Sequence, residues 1–244
     1  MANGFDPRMT ATARPTTVGR EGVAYDAGLR SYMLSVYNYM ASGVLLTGIV
    51  ALLFARSGLA AQILLGGGPL KWLIMLSPLA FVMVMSFGIQ RLSAGTTQLL
   101  FWLFAGVMGL SMSSIFLVFT GQSIAMTFFA TAAAFVSLSL WGYTTKRDLS
   151  AFGTFLIMGV VGLLVAMLIN FFLQSTALQL AVSFIGVLLF AGLTAYDTQR
   201  IKSMYFYVQG TDMLGKTAIM GALSLYLDFV NMFTFLLQFM GSRE

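Results

Sequence analysis

From Leu92 to Thr145 the chain runs 54 residues without a formal charge. A membrane-spanning helix needs about 20 apolar residues, so this run holds two spans, joined near Thr120-Gly121-Gln122. Leu149 to Tyr196 holds two more, joined near Gln174-Ser175-Thr176. Ser31–Ala55, Trp72–Gln90 and Thr217–Ser242 supply one each, the last interrupted only by Asp228. The total is seven. With 59% hydrophobic and 9% charged residues, the composition suits a bilayer and not a soluble core. Barrel strands alternate apolar and polar at every second residue; these runs do not. The fold class is therefore an all-α membrane protein, with a seven-helix domain over residues 27–244 behind a flexible tail at 1–26. The tail has no apolar core of a signal peptide.

The spacing places the helices at about 31–55, 72–90, 97–120, 122–143, 151–173, 177–196 and 217–240. Pro78 interrupts the second, where a missing backbone donor favours a kink. Gly106 and Gly109, the "ATAAA" run, and Gly159 and Gly162 read as helix-packing surfaces, because small residues let backbones approach closely in lipid. The Gly-rich loop "RSGLAAQILLGGGPLK" lacks the GK[ST] ending of a phosphate loop. Its "AAQILL" suits the membrane interface.

Charge orients the bundle. With the N-terminus in the cytoplasm, Arg8, Arg14, Arg20, Arg30, Arg91, Lys146, Arg147, Arg200, Lys202 and Lys216 lie inside, and Arg56, Lys71 and Arg243 lie outside. That is a positive-inside bias. It accounts for the basic pI without a nucleic-acid partner.

Eight acids occur, and two fall on spans: Asp197 and Asp228. Mid-bilayer charge costs about 2.5–3.5 kcal/mol on insertion scales. A carboxyl reduces that cost by staying protonated and by facing the bundle interior. On the last helix Gly221, Ser224, Asp228 and Asn231 are spaced by 3, 4 and 3, one face, so this helix should be central. If Asp228 only glued helices together, one polar contact would return about 0.6 kcal/mol. That shortfall favours a functional role. Asp197 has two readings that spacing alone does not separate: a local pair with Arg200 at i+3, or a bridge to Arg91 closing the second helix.

Several chemistries are excluded. The absence of cysteine and histidine rules out disulfides, thiolate and imidazole metal sites and Ser–His hydrolysis. A retinal Schiff base needs a mid-span lysine, and Lys216 begins a helix. An intramembrane aspartyl protease would carry GxGD; here Asp197 follows "TAY" and Asp228 follows "LYL". No enzyme activity and no bound cofactor are expected.

"AYDTQRIK" (195–202) with "ALSLYLDFVNMF" (222–233) resembles the paired signature of the transmembrane Bax inhibitor motif family, or Bax inhibitor-1 family. "GLRSYMLSVYNYMASGVLLTGIVA" (28–51) resembles the first helix of its bacterial branch. The resemblance implies a last helix wrapped by two three-helix layers in the bacterial inner membrane. It also implies a pH-sensitive calcium leak, with Asp197 and Asp228 sharing a proton and Arg91 latching Asp197 when closed. Ser224, Asn231 and Arg200 would support the pair. Calcium would be the permeant, held weakly by Asp197 and Asp228, since tight sites take six to eight oxygens. The lipid bilayer, calcium and protons are the expected partners. The alternative is a regulator that binds a membrane-anchored AAA protease, as another bacterial relative does.

The charge bias has a direct test. In this cysteine-free chain Ser242→Cys should react with an impermeant maleimide added to intact cells. Labelling only after the inner membrane is opened would overturn the orientation.

Overall fold

Backbone polar groups inside a bilayer must bond within their own segment, so each long uncharged run closes into a helix. The computed structural model describes residues 18–66 and 68–243, and of 18–26 the backbone alone. The helices are α1 (Val18–Arg56), α2 (Leu59–Leu65), α3 (Pro69–Gly88), α4 (Ala94–Met112), α5 (Gly121–Thr144), α6 (Ser150–Leu173), α7 (Thr176–Val208) and α8 (Met213–Met240). A 3-10 turn, Ser113–Leu117, completes the span begun by α4. Seven of these segments are long and apolar enough to cross a membrane. The eighth, α2, is the "AAQILL" stretch. Its Ala60 and Leu64 are buried beside Phe54, Leu110 and Leu117.

Two boundaries differ from the sequence expectation. Helix α1 begins at Val18, within the segment read as a tail; residues 1–17, with Arg8 and Arg14, lie outside the described residues. Helix α7 runs twelve residues past Tyr196, to Val208. Charges did not end it, because Arg200 is exposed and long basic side chains reach the interface. Meanwhile Ile201 and Tyr205, at i and i+4, stay buried and keep the helix packed.

Pro78 sits inside an unbroken α3. It leaves the carbonyl of Ile74, four residues back, without its usual donor. The Ser77 hydroxyl donates to that carbonyl at 3.0 Å, so the lost bond is replaced locally.

Helix α4 packs on α1 and α3, and α7 packs on α5 and α6, a grouping consistent with two three-helix layers about α8. Helix α8 packs chiefly on α7, α1, α5 and α4, while α3 and α6 lie at the edges. It is the most buried span. Aromatic side chains lock it on both sides: Tyr226 meets Phe104 edge-on at 5.2 Å, and Phe229 meets Phe135 at 5.6 Å.

The glycine expectations divide. Gly109 and Gly159 are close-packed, with a Cβ at Gly159 falling 2.6 Å from Leu189. Gly106 and Gly162 face open space, and in "ATAAA" Thr131 alone is buried. Residues three apart on a helix diverge by about 60°, so one glycine of each pair turns off the contact. The tightest backbone-to-backbone approach between helices was not foreseen. A Cβ at Gly142 on α5 would collide with the Ala195 carbonyl oxygen on α7.

Gly142→Ala should therefore destabilise the protein by about 1–3 kcal/mol, the usual range for overpacking. Gly162→Ala should leave stability unchanged or slightly higher. Thermal unfolding in detergent distinguishes them, and equal midpoints would refute the α5–α7 contact.

Candidate functional site

One face of α7 is made to meet α8. Ser183, Gly186, Phe190, Asp197 and Ile201 are spaced by 3, 4, 7 and 4, a single helical stripe. Four of the five touch α8. Ser183 Oγ, which donates to the Gln179 carbonyl at 2.8 Å, lies 3.5 Å from Gln238 Oε1. Gly186 admits the Phe235 ring, which would lie 2.6 Å from a Cβ there. Phe190 stacks on Phe235 at 5.9 Å, and Ile201 covers Gly221 at 3.1 Å by the same measure.

These pairs fix the antiparallel register. Asp197 comes level with Ser224, and Asp228 lies one turn deeper, about 5 Å along the axis. The continuation of α7 to Val208 makes this possible, because it carries Asp197 well inside the helix. On α8, Gly221, Asp228 and Phe235 repeat at seven-residue intervals, so Asp228 shares the α7-facing stripe. The two carboxyl groups accordingly act on one another electrostatically.

Their surroundings differ. Asp228 is 4% exposed, and its Oδ2 is buried without a hydrogen-bonding partner among the described residues. Asp197 is half-buried, with the exposed Arg200 three residues further along the same helix. Arg91 is exposed at the turn after α3, and α3 packs chiefly on α4 and α2. Ser224 and Asn231 are half-buried on the same flank of α8. Among the described residues no group of three or more carboxylates gathers as a metal cage.

Helix α7 is pinned on its other faces. The Tyr37 hydroxyl on α1 lies 2.6 Å from that of Ser139 on α5. Ser139 in turn lies 2.9 Å from the Thr198 hydroxyl, which donates to the Thr194 carbonyl at 2.7 Å. Since Thr198 spends its proton on that carbonyl, Ser139 donates to Thr198 and Tyr37 donates to Ser139. Next to Asp197, the α5–α6 loop is clamped as well. Gln199 accepts the Leu149 N–H at 2.9 Å and donates to the Arg147 carbonyl at 2.8 Å. Lys202 donates to the Tyr143 carbonyl at 2.8 Å. Asp148 opens α6 by accepting the Ser150 N–H at 2.9 Å, and the Ser150 hydroxyl together with that N–H holds its carboxyl below the usual range.

The sequence reading stopped the polar face of α8 at Asn231. Intervals of 3 and 4 continue to Thr234 and Gln238, and backward to Thr217. Ser224, Asn231, Thr234 and Gln238 are all half-buried, whereas the residues flanking them are mostly buried. Following the spacing to both ends of the helix would have found them.

The family model described as "Inhibitor of apoptosis-promoting Bax1" matches residues 29–244. The chain belongs to the Bax inhibitor-1 family. Among its relatives is the inner membrane protein YbhL of Escherichia coli K12, 48% identical over 89% of this chain and 94% of that protein. Another is the uncharacterized protein RP147 of Rickettsia prowazekii, 45% identical over 93% and 96%. A third, from Borreliella burgdorferi, is 35% identical over 87% and 92%. The match spans all seven membrane helices, so the Bax inhibitor-1 assignment covers the whole described bundle and both aspartates.

Cross-linking tests the packing. Ile201→Cys with Gly221→Cys should form a disulfide on mild oxidation, read as a linked peptide by mass spectrometry. Arg91→Cys with Asp197→Cys should not. The reverse pattern would overturn the arrangement of α3, α7 and α8.

Proposed function

We propose that this Bax inhibitor-1 family protein is a passive, pH-sensitive calcium leak of the bacterial inner membrane, gated by Asp197 and Asp228. The observation carrying this reading is the seam between α7 and α8. Two carboxyl groups lie there about one turn apart on adjoining helices, one buried with an oxygen unpartnered among the described residues, the other half-buried.

The mechanism follows from proton count. While the pair holds a shared proton it carries at most one negative charge, and a divalent cation gains little from the site. When the proton leaves, two carboxylates one turn apart attract a cation and repel each other across the seam. Two carboxylates with Ser224 and Asn231 supply fewer than the six to eight oxygens of a tight calcium site, so binding is weak and passage follows the gradient. The latch role of Arg91 requires α3 to move from the edge of the bundle toward α7, bringing Arg91 to Asp197. In that closed arrangement the path is shut; in its absence the path is free to open.

In vesicles carrying the purified protein, calcium leak should rise with pH as the shared proton is lost. Asp228→Asn and Asp197→Asn each leave one carboxyl with no second acid to share its proton, so in both the pH dependence should be flattened or displaced from that of wild type. Wild-type pH dependence in both variants would sink the mechanism.

A further inference from the structure

At the face opposite the basic one, the ends of α6, α7 and α8 surround a cavity of about 400 Å³. Four of its seven lining residues are carboxamides: Asn170, Gln174, Gln179 and Gln238. They come from α6, the turn after it, α7 and α8. No charged side chain lines the cavity.

We propose that this carboxamide vestibule is the far entrance of the cation path to Asp228, taking a partly hydrated calcium or other small cation. The inference rests on the leak reading above. Two independent features carry it. The first is chemical. Side-chain amide oxygens are calcium ligands that carry no net charge, so they replace part of a hydration shell without trapping the ion. Asn170 Oδ1 is engaged by the Ser175 N–H at 3.0 Å, while Gln238 Oε1 lies 3.5 Å from the Ser183 hydroxyl, whose proton goes to the Gln179 carbonyl at 2.8 Å. The first bond orients Asn170; Gln174, Gln179 and Gln238 turn with less constraint.

The second feature is directional. Gln238 is the last member of the polar stripe on α8, and Thr234, Asn231 and Asp228 follow it at intervals of 4, 3 and 3. The distance from Gln238 to Asp228 along the axis is about 15 Å. Gln238, Thr234 and Asn231 are half-buried, so polar groups continue from the cavity to the carboxylate. On the α7 side, Ser183 opens the stripe that ends at Asp197 and Ile201. The vestibule thus stands at the end of the seam that holds the aspartates.

The test uses the full chain in calcium-dye vesicles, with calcium itself as the probe. Gln179→Leu with Gln238→Leu should lower the leak by about fivefold per carboxamide, the factor set by a hydrogen-bond-sized loss of about 1 kcal/mol. The pH dependence should stay where it is, because the aspartates are untouched. Gln238→Glu, a nearly isosteric change that keeps the fold testable if the leucine variant is unstable, should raise the leak at low ionic strength and lose that gain in salt. Unchanged leak in both variants overturns the vestibule. Asp228→Asn in the same vesicles separates the two ideas. If it flattens the pH dependence while the glutamine variants do nothing, the gate stands and the vestibule falls. If Asp228→Asn behaves as wild type, the leak reading falls with it.

Discussion

The antiparallel seam between α7 and α8 is the interaction on which the rest of the molecule depends. Gly186 beneath Phe235 and Gly221 beneath Ile201 set how closely the two axes approach. That same register sets the height of Asp197 against Asp228. In lipid there is no hydrophobic drive to bring helices together, and close packing substitutes for it. A bulkier residue at either glycine would push the helices apart and separate the carboxyl groups in the same movement. Packing and proton chemistry are therefore not independent here. Whatever moves α7 relative to α8 also changes how strongly the two acids feel one another.

The surrounding layers serve this seam. Helix α5 holds α7 from one side through Gly142 against Ala195 and through the Tyr37–Ser139–Thr198 hydroxyls. Helix α6 holds it from another, with Gly159 against Leu189. Helices α1 and α4 hold α8 at Tyr226, whose hydroxyl lies 2.6 Å from that of Thr47. Thr47 itself donates to the Ala105 carbonyl at 2.8 Å. Helix α3 packs chiefly on α4 and α2 and, like α6, lies at an edge of the bundle. Its Met85 reaches the core, and Arg91 follows at its end. In the proposed leak, a latch at this position would act from the periphery of the bundle.

The number of spans, their order and the central place of the last one were readable because bilayer thickness turns uncharged length into helix count. The polar stripe on α8 was readable because lipid excludes polar side chains. The length of α7 was not, because counting charges treats Asp197 as an end, whereas snorkelling arginine and lysine let the helix continue. The position of Arg91 was not readable either. Contacts between apolar helix faces leave no spacing signature, so nothing in "GIQRLS" says whether α3 lies against α7 or at the edge. Gln238 was legible in principle, since it obeys the same 3-and-4 spacing as Asp228.

Comparison among the buried polar groups sharpens the role of Asp228. Thr131, Thr194 and Thr198 each donate to the carbonyl four residues back, and Thr47 and Ser139 bond across helices. Those groups offset their own desolvation with hydrogen bonds. Asp228 is more costly to bury than any of them, yet its Oδ2 has no such bond among the described residues. A residue serving as glue would be the best-satisfied group in the bundle, not one of the least. In the proposed leak, an acid kept short of partners, near a second acid on a neighbouring helix, would have its charge state governed by the gap between α7 and α8. Its energetic burden would then be the source of sensitivity: a small change in the seam, or one proton, would shift the balance between holding the shared proton and exposing the pair to a cation.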